Sequence, residues 1–275
     1  MGMKIEDQRI IVYGCGKMGG ALIRGWLASG LQEKNFCVVE PDPPDWLTDL
    51  SLCGLQLNSN RFAYPKICVI AVKPQQAEEV LSQLDKNTFK NTLIISLIAG
   101  LKFSDIESVI GDKMSVVRVM PNTPVSVNKG VSCLIQNKKT TNAQMKLAEQ
   151  IFSLVGKTIV LNSESQMDAV TAISGSGPAY VFCFIESMIE ASVGLGLSRD
   201  MAASLAIATV SGAGTLAEIS DLEVAELRKN VTSPKGTTEA ALRVLMHPKN
   251  GLFKILDKAS TAAYERSKQL GLKKE

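Results

Sequence analysis

At 275 residues, the chain is long enough for one large domain or two ordinary domains, each with a hydrophobic core. Hydrophobic residues make up 45% and charged residues 21%, which is the composition of a globular protein and excludes a disordered chain. A net charge of +3 without long basic runs, together with 5% aromatic residues, argues against a surface that binds nucleic acid.

In residues 1–163, short apolar runs alternate with segments of helical periodicity. The predicted strands are residues 9–13, 36–40, 67–72, 92–97, 116–120, 131–136 and 158–161. The predicted helices between them include residues 18–29, 75–84, 103–110 and 142–155. Because the apolar runs are continuous rather than alternating, we expect strands that are buried on both faces. The pattern predicts an α/β, Rossmann-like domain with a predominantly parallel sheet, and a departure from parallelism at the edge that the last strands form.

The character of the sequence changes near Asn162, beyond which no strand pattern is found. Apolar residues recur there at helical spacing. The predicted helices are residues 167–195, 199–218, 222–230, 238–246 and 252–270. These segments are apolar on more than one face, as helices buried in a partner subunit are. The predicted domains are therefore an α/β domain, residues 1–163, and an all-helical domain, residues 164–275.

The first predicted strand runs directly into three glycines. Residues 10–19 read IIVYGCGKMG, in which Gly14, Gly16 and Gly19 have the spacing G-x-G-x-x-G between a strand and a helix. Gly14 permits a tight turn, Gly16 lets a pyrophosphate approach the backbone, and Gly19 lets the helix pack closely on the strand. The free N–H groups of Lys17 and Met18 at the helix start then face the phosphates. The context predicts a dinucleotide site, and the alternative is a tight turn without a ligand.

An acidic residue ends the second predicted strand. Glu40 lies 21 residues beyond Gly19, where a carboxylate can bind ribose hydroxyls. Residues 40–45 read EPDPPD and contain no Lys or Arg. A 2′-phosphate would meet the negative charge of Glu40, with Lys17 and Arg61 as the cations available to offset it. We therefore expect a preference for NADH over NADPH, the alternative being that Glu40 is an ordinary surface carboxylate.

Ligands of open α/β sheets bind beyond the carboxyl ends of the strands. The segments that follow the third, fourth and fifth predicted strands read AVKP, SLIAG and MPNTP. Proline and glycine there restrict the loop shape and let a ring approach the backbone. Lys73 can hydrogen-bond a ribose or a carbonyl group, and the alternative is a solvated lysine at a turn.

Two segments of the helical half conflict with a simple helix. Residues 174–178 read SGSGP inside a helical pattern, where each glycine costs about 1 kcal/mol and an interior proline about 3 kcal/mol. Such a conflict indicates a functional segment or, alternatively, a kink between helices. Residues 231–239 read VTSPKGTTE and combine hydroxyl groups with the free N–H groups of a helix start. This second segment is suited to a carboxylate.

Several catalytic groups are missing from the sequence. The lone histidine, His247, precedes Pro248 at the end of a helical pattern, where we expect a surface residue or a helix cap. No G-x-S-x-G, HExxH or Walker A motif is present, and no spacing of Cys and His indicates a metal site. A nicotinamide reaction whose substrate needs no protein acid or base fits these absences.

The six cysteines have no CxxC spacing and mostly lie in apolar runs, which predicts buried free thiols in a reducing compartment. The N-terminal segment MGMKIED carries two acids before any apolar run and is not typical of a signal peptide. No uninterrupted apolar run of about 18 residues occurs. We therefore expect a cytoplasmic protein without a membrane partner.

These motifs, in this order and spacing, resemble pyrroline-5-carboxylate reductase over nearly the whole chain. Residues 168–180, DAVTAISGSGPAY, are the most specific segment, followed by residues 231–238, 71–74 and 120–124. The resemblance implies a Rossmann-like domain and an all-helical dimerisation and substrate domain. It also implies hydride transfer from NADH or NADPH to the C5 carbon of 1-pyrroline-5-carboxylate, giving L-proline. A homodimer is implied, which can assemble further, for example into a decamer.

The resemblance also implies roles for particular residues. The Thr238 hydroxyl would bond the ring nitrogen as the catalytic contact, while backbone N–H groups nearby take the substrate carboxylate. The substrate-binding residues would be Ser174, Gly175, Ser176, Gly177, Ser233, Gly236, Thr237 and Thr238, in one pocket. The cofactor-binding residues would be Gly14, Gly16, Lys17, Met18, Gly19, Glu40, Ala71, Val72, Lys73, Pro74, Ala99, Gly100 and Asn122. Many members of the family favour NADPH and carry small polar or basic residues where this chain has Glu40.

The same two-domain pattern leaves two alternative functions, another nicotinamide-dependent enzyme and a redox sensor without catalytic activity. A 3-hydroxyacid dehydrogenase type of enzyme on the same two-domain plan would place a lysine near Ser174, and no lysine lies between Gln166 and Ser198. A catalytically silent redox sensor would not need the carboxylate-binding segment 233–238. Oxidation of the reduced cofactor that depends on the substrate would separate these alternatives.

Overall fold

The computed structural model describes residues 8–59, 64–84 and 87–272. The chain forms two compact units. Unit 1 contains the chain up to Ser176 and again from Ala263 onward, and unit 2 contains Gly177–Ala262.

Unit 1 is built on a single sheet. In the described part of the chain its strands are β1 (Ile10–Tyr13), β2 (Phe36–Val39), β3 (Gln56–Leu57), β4 (Ile67–Ile70), β5 (Leu93–Ser96), β6 (Ser115–Met120), β7 (Gly130–Gln136) and β8 (Gly156–Val160). Their order across the sheet is β3-β2-β1-β4-β5-β6-β7-β8. Every neighbouring pair is parallel except β6 and β7, which are antiparallel. The predicted Rossmann-like, predominantly parallel sheet is confirmed, and the two-residue strand β3 was not predicted because it carries no apolar run.

Helices flank the sheet in unit 1. They are α1 (Lys17–Ala28), α2 (Asp45–Leu52), α3 (Ala77–Ser82), α4 (Phe103–Ile110), α5 (Asn142–Ser153) and α6 (Met167–Val170). After α6 the chain continues through a π-helical turn, Thr171–Gly175, into the first helix of unit 2. The π turn is wider than an α-helical turn by one residue.

The two faces of the sheet bury separate hydrophobic clusters. Ile10 and Val12 of β1 belong to one cluster, whereas Ile11 between them belongs to the other. In the first cluster Trp26 is fully buried, stacks on Phe36 with ring centroids 6.1 Å apart, and donates from Nε1 to the Ile151 carbonyl at 2.9 Å. The continuous apolar runs of the strands therefore reflect burial on both faces, as expected.

The predicted domain boundary at residue 163 follows the last strand of the sheet, β8, which ends at Val160, and the first compact unit continues to Ser176. Met167 is buried against Met120 and Ile135, so the start of the helical region packs on unit 1. Ser267, from the C-terminal helix, is also buried and donates its hydroxyl to Asp168 Oδ1 at 2.7 Å. These contacts extend the compact unit to Ser176 and return the last residues of the chain to it.

Unit 2 is entirely helical. Its helices are α7 (Gly177–Gly194), α8 (Arg199–Ile219), α9 (Val224–Asn230), α10 (Thr237–Leu245) and most of α11 (Leu252–Leu272). The buried hydrophobic side chains of this unit, all of whose residues are described, are those of Ala202 and Ala206. Phe182 and Phe253 are more than half exposed, at 57% and 66%. The unit thus leaves large apolar faces uncovered.

Two helical stretches, Glu164–Gly194 and Arg199–Ile219, are long and apolar enough to cross a membrane by length and composition alone. Helices of this length and composition also occur in the cores of soluble proteins.

All six cysteines are free. Four of them are buried, while Cys53 and Cys183 are exposed, so the expectation of a free thiol holds for each cysteine and that of burial for four.

Candidate functional site

The glycine loop between β1 and α1 has the geometry that its sequence predicts. Gly14 has φ +93°, a left-handed conformation, and a Cβ there would lie 2.8 Å from the Ala71 carbonyl oxygen. A Cβ at Gly19 would overlap the Gly14 carbonyl oxygen. Helix α1 can therefore pack this closely on the loop only because residue 19 has no side chain.

Gly16 differs from the other two glycines because it faces open space. A Cβ at this position has no heavy atom within 4 Å, and Gly16 is exposed. It precedes Lys17, the first residue of α1, whose first-turn N–H groups have no partner within the helix. The loop thus presents bare backbone and the positive end of a helix dipole to solvent, an arrangement that attracts a phosphate group.

The Glu40 carboxylate lies against this loop. Its Oε2 accepts the N–H of Cys15 at 2.6 Å, and its Oε1 accepts the N–H of Asp42 at 3.2 Å. Asn58 holds the backbone of Glu40 from both sides, since its Oδ1 accepts the Glu40 N–H and its Nδ2 donates to the Glu40 carbonyl, each at 2.9 Å. Parallel pairing of β1 with β2 brings the two strand ends together. A negative charge is therefore fixed beside the glycine loop.

Cys15 lies between these groups. The pKa of its thiol is raised to about 11, mainly by burial and also by the negative charge of Glu40, while Arg24 opposes the shift. The thiol therefore stays protonated at neutral pH.

The sequence offers two cations, Lys17 and Arg61, to a 2′-phosphate. Lys17 is exposed at the start of α1, and Arg61 lies outside the described residues. Arg24, which the sequence analysis did not consider, lies over the ring of Trp46 at 4.1 Å from the centroid.

The remaining predicted cofactor residues follow parallel strands and so share the carboxyl edge of the sheet. Ala71 extends the pairing of β4 by donating its N–H to the Tyr13 carbonyl at 2.8 Å. Lys73 and Pro74 are exposed, and Gly100 is buried with φ +78°. Pro74 and Ala99 also line a cavity of about 200 Å³ between α3 and α4. This cavity is mostly apolar and includes no residue of the glycine loop.

Asn122 is placed differently from the other predicted cofactor residues. It is 8% exposed, and its carboxamide contacts protein groups at both ends. Its Nδ2 donates to the Ser174 carbonyl at 3.1 Å, and its Oδ1 accepts the Val131 N–H at 2.8 Å. Asn122 therefore joins the carboxyl end of β6 to the π turn, a connection that the sequence analysis did not anticipate.

The segment 174–178 interrupts the α-helical geometry. The π turn ends at Gly175, Ser176 lies in a bend, and α7 begins at Gly177. The Ser176 N–H bonds the Thr171 carbonyl at 2.9 Å, five residues back. Hydroxyl groups bond back to the helix as well, from Thr171 to the Met167 carbonyl and from Ser174 to the Val170 carbonyl. π turns are frequent at functional sites, so the conflict in local propensity marks a real irregularity.

The segment 231–238 lies in unit 2 and ends in the first turn of α10. Lys235 has φ +59°, and its N–H donates to Glu239 Oε2 at 2.5 Å. Thr237 begins the helix and is exposed, whereas Thr238 is half-buried. The loop therefore places two hydroxyl groups and the free N–H groups of a helix start together, as predicted from its composition.

An ion pair between a buried arginine and a partly exposed glutamate was not predicted from the sequence. Arg118 on β6 is 4% exposed, and its Nη1 lies 2.6 Å from Glu164 Oε1. The same oxygen accepts the N–H of Phe103 at the start of α4. The only signal was an arginine inside the apolar strand SVVRVM.

Known proteins resemble this chain over its whole length. The family model described as pyrroline-5-carboxylate reductase dimerisation matches residues 164–270, and the model described as NADP oxidoreductase, coenzyme F420-dependent, matches residues 9–100. The pyrroline-5-carboxylate reductase of Pseudomonas aeruginosa is 37% identical, covering 97% of this chain and 98% of that protein.

Two solved structures give the same result. The Plasmodium falciparum pyrroline carboxylate reductase with NADP bound has a TM-score of 0.87 at 34% identity, covering 98% of this chain and 100% of that chain. The pyrroline-5-carboxylate reductase of Coxiella burnetii also has a TM-score of 0.87, at 38% identity, covering 96% of this chain and 98% of that chain.

Proposed function

The chain belongs to the pyrroline-5-carboxylate reductase family, and on that premise we propose which of its residues bind the cofactor and the substrate. It is an NAD(P)H-dependent oxidoreductase that reduces the C=N bond of 1-pyrroline-5-carboxylate and forms proline. The observation that carries this conclusion is the match of the whole chain to enzymes of this name.

When bound, the reduced nicotinamide supplies the hydride that adds to C5 of the imine. A protonated imine is already electrophilic, so the protein needs mainly to align the two reactants and exclude competing geometries. Because the substrate needs no acid or base from the protein, the reduction can proceed without the only histidine, His247.

We assign the pyrophosphate to the open backbone at Gly16 and the first turn of α1. Gly14 and Gly19 shape this loop, and the Glu40 carboxylate would accept a hydrogen bond from a ribose hydroxyl. The other proposed cofactor-binding residues at the carboxyl edge are Lys17, Met18, Ala71, Val72, Lys73, Pro74, Ala99, Gly100 and Asn122. The fixed charge of Glu40 supports NADH as the preferred cofactor.

Two segments are proposed to bind the substrate. One is the π turn with its neighbours, Ser174, Gly175, Ser176 and Gly177. The other is the start of α10, where free N–H groups suit the substrate carboxylate and the Thr238 hydroxyl would bond the ring nitrogen. Its residues are Ser233, Gly236, Thr237 and Thr238.

Thr238→Ala is expected to lower kcat roughly five-fold, because one neutral hydrogen bond contributes about 1 kcal/mol, and more if it strengthens in the transition state. The KM for the reduced cofactor should stay near the wild-type value. Steady-state oxidation of the cofactor in the presence of 1-pyrroline-5-carboxylate measures both quantities. Thr48→Ala, on exposed α2, is the matched control. A folded Thr238→Ala enzyme with wild-type turnover would remove this residue from the reaction.

Residues 164–275 are proposed as the dimerisation and substrate domain, with the uncovered apolar faces of α7, α8 and α11 packing against a second copy of the chain. The match to the family's dimerisation model supports homo-oligomerisation. Contact between copies also accounts for the exposed Phe182 and Phe253 without a membrane. We propose a cytoplasmic homodimer, which can form larger assemblies such as a decamer.

Light scattering of the purified protein is expected to give at least twice the mass of the chain at every dilution at which it remains folded. Unit 2 buries few side chains by itself, so a separated monomer should lose the helical circular dichroism signal that this unit contributes. A folded monomer in dilute solution would contradict the proposed interface.

A further inference from the structure

Pro178 leaves one carbonyl group of the preceding turn without its usual hydrogen-bond donor. In an α-helix each N–H bonds the carbonyl four residues earlier, and proline has no N–H. Pro178 can therefore donate nothing to the carbonyl of Ser174. That carbonyl accepts a hydrogen bond from Asn122 Nδ2 at 3.1 Å instead.

The other end of the same carboxamide is held just as firmly. Asn122 Oδ1 accepts the N–H of Val131, near the start of β7, at 2.8 Å. Asn122 is 8% exposed, so water competes little for either bond. Rotating the amide by 180° would bring acceptor to acceptor at Ser174 and donor to donor at Val131, so the geometry specifies one orientation.

The two hydrogen bonds of the Asn122 carboxamide connect the proposed cofactor edge of the sheet with the π turn. β6 is parallel to β5, so its carboxyl end lies at the edge that carries the glycine loop and the other proposed cofactor residues. The π turn, on the other side of the bridge, contains proposed substrate-binding residues. Both belong to unit 1.

We propose that Asn122 is a positioning residue that holds the π turn at a set distance from the cofactor edge of the sheet and so controls the alignment for hydride transfer. This inference rests on the proposed placement of the substrate at Ser174, Gly175, Ser176 and Gly177. A displacement of about 1 Å in such a site can lower the rate roughly 100-fold.

Asn122→Asp tests the proposal, because the carboxylate still accepts the Val131 N–H but repels the Ser174 carbonyl. The expected result is a kcat lowered by about 10- to 100-fold at saturating concentrations of cofactor and substrate. The primary deuterium isotope effect with 4-deuterated NADH should rise, because hydride transfer becomes more rate-limiting. The control is Asn142→Asp, at the exposed start of α5, which should match the wild type in both measurements.

A double variant separates positioning from simple stabilisation. Pro178→Ala restores an N–H four residues after Ser174, so adding it to Asn122→Ala should recover the part of the thermal stability that the unpaired Ser174 carbonyl costs, though not the part that the unpaired Val131 N–H costs. The lowered kcat and raised isotope effect should remain, since the tie to β6 is still absent. Full recovery of kcat in the double variant, or wild-type kinetics in folded Asn122→Asp, would overturn the inference. A wild-type enzyme that does not reduce 1-pyrroline-5-carboxylate would instead overturn the function itself.

Discussion

Gly16→Ala should weaken cofactor binding at least ten-fold while leaving the folded protein as stable as the wild type. Gly16 has φ −66° and ψ −160°, a conformation with negative φ that lies close to the extended region populated by alanine. Its added methyl group would have no protein atom within 4 Å, so the chain itself has nothing to clash with. The methyl group would occupy the space through which we propose the pyrophosphate reaches the backbone.

Titration of NADH fluorescence measures the affinity, and thermal unfolding measures the stability. Gly19→Ala provides the contrast, because its Cβ would overlap the Gly14 carbonyl oxygen and should destabilise the fold by about 1–3 kcal/mol. A Cβ at Gly194 also has open space around it, so Gly194→Ala should lower neither the affinity for NADH nor the thermal stability. If Gly16→Ala binds NADH as tightly as the wild type, the pyrophosphate does not lie at this glycine.

Glu40→Ser is expected to shift the enzyme toward NADPH by roughly 10- to 100-fold in the ratio of kcat/KM values. Like charges about 4 Å apart repel by about 4 kcal/mol at an effective dielectric constant near 20, and partial exposure of Glu40 reduces that value to an estimated 1–3 kcal/mol. The wild type should prefer NADH, because Glu40 can accept a hydrogen bond from a 2′-hydroxyl group.

Steady-state kinetics with both cofactors provide the measurement. Asp42→Ser removes the same charge two residues away from Glu40 and should have a clearly smaller effect. Glu40→Gln removes the charge but keeps an oxygen for the Cys15 N–H, so it should reproduce most of the shift if charge is the cause. A wild type that favours NADPH, or a Glu40→Ser enzyme with an unchanged ratio, would show that another group selects the cofactor.

Much of the fold is encoded locally and was therefore predictable. Continuous β-branched runs predicted the buried parallel strands, and helical spacing without strands predicted the second half of the chain. The glycine loop was predictable because the requirements at Gly14 and Gly19 are backbone requirements, which only one residue type satisfies well.

Other features depend on contacts between distant parts of the chain, and only the tertiary structure decided them. The unfavourable helix propensity of residues 174–178 showed that a helix is disturbed there. It did not show that the Ser174 carbonyl accepts a hydrogen bond from Asn122, which lies 52 residues away in the sequence. The pairing of Arg118 with Glu164 spans 46 residues. A buried polar group costs free energy unless it is hydrogen-bonded or paired with an opposite charge, and the packing of the strands and helices decides which partner is close enough. The sequence by itself determined the elements and the glycine loop, whereas packing determined how the polar groups between them are paired.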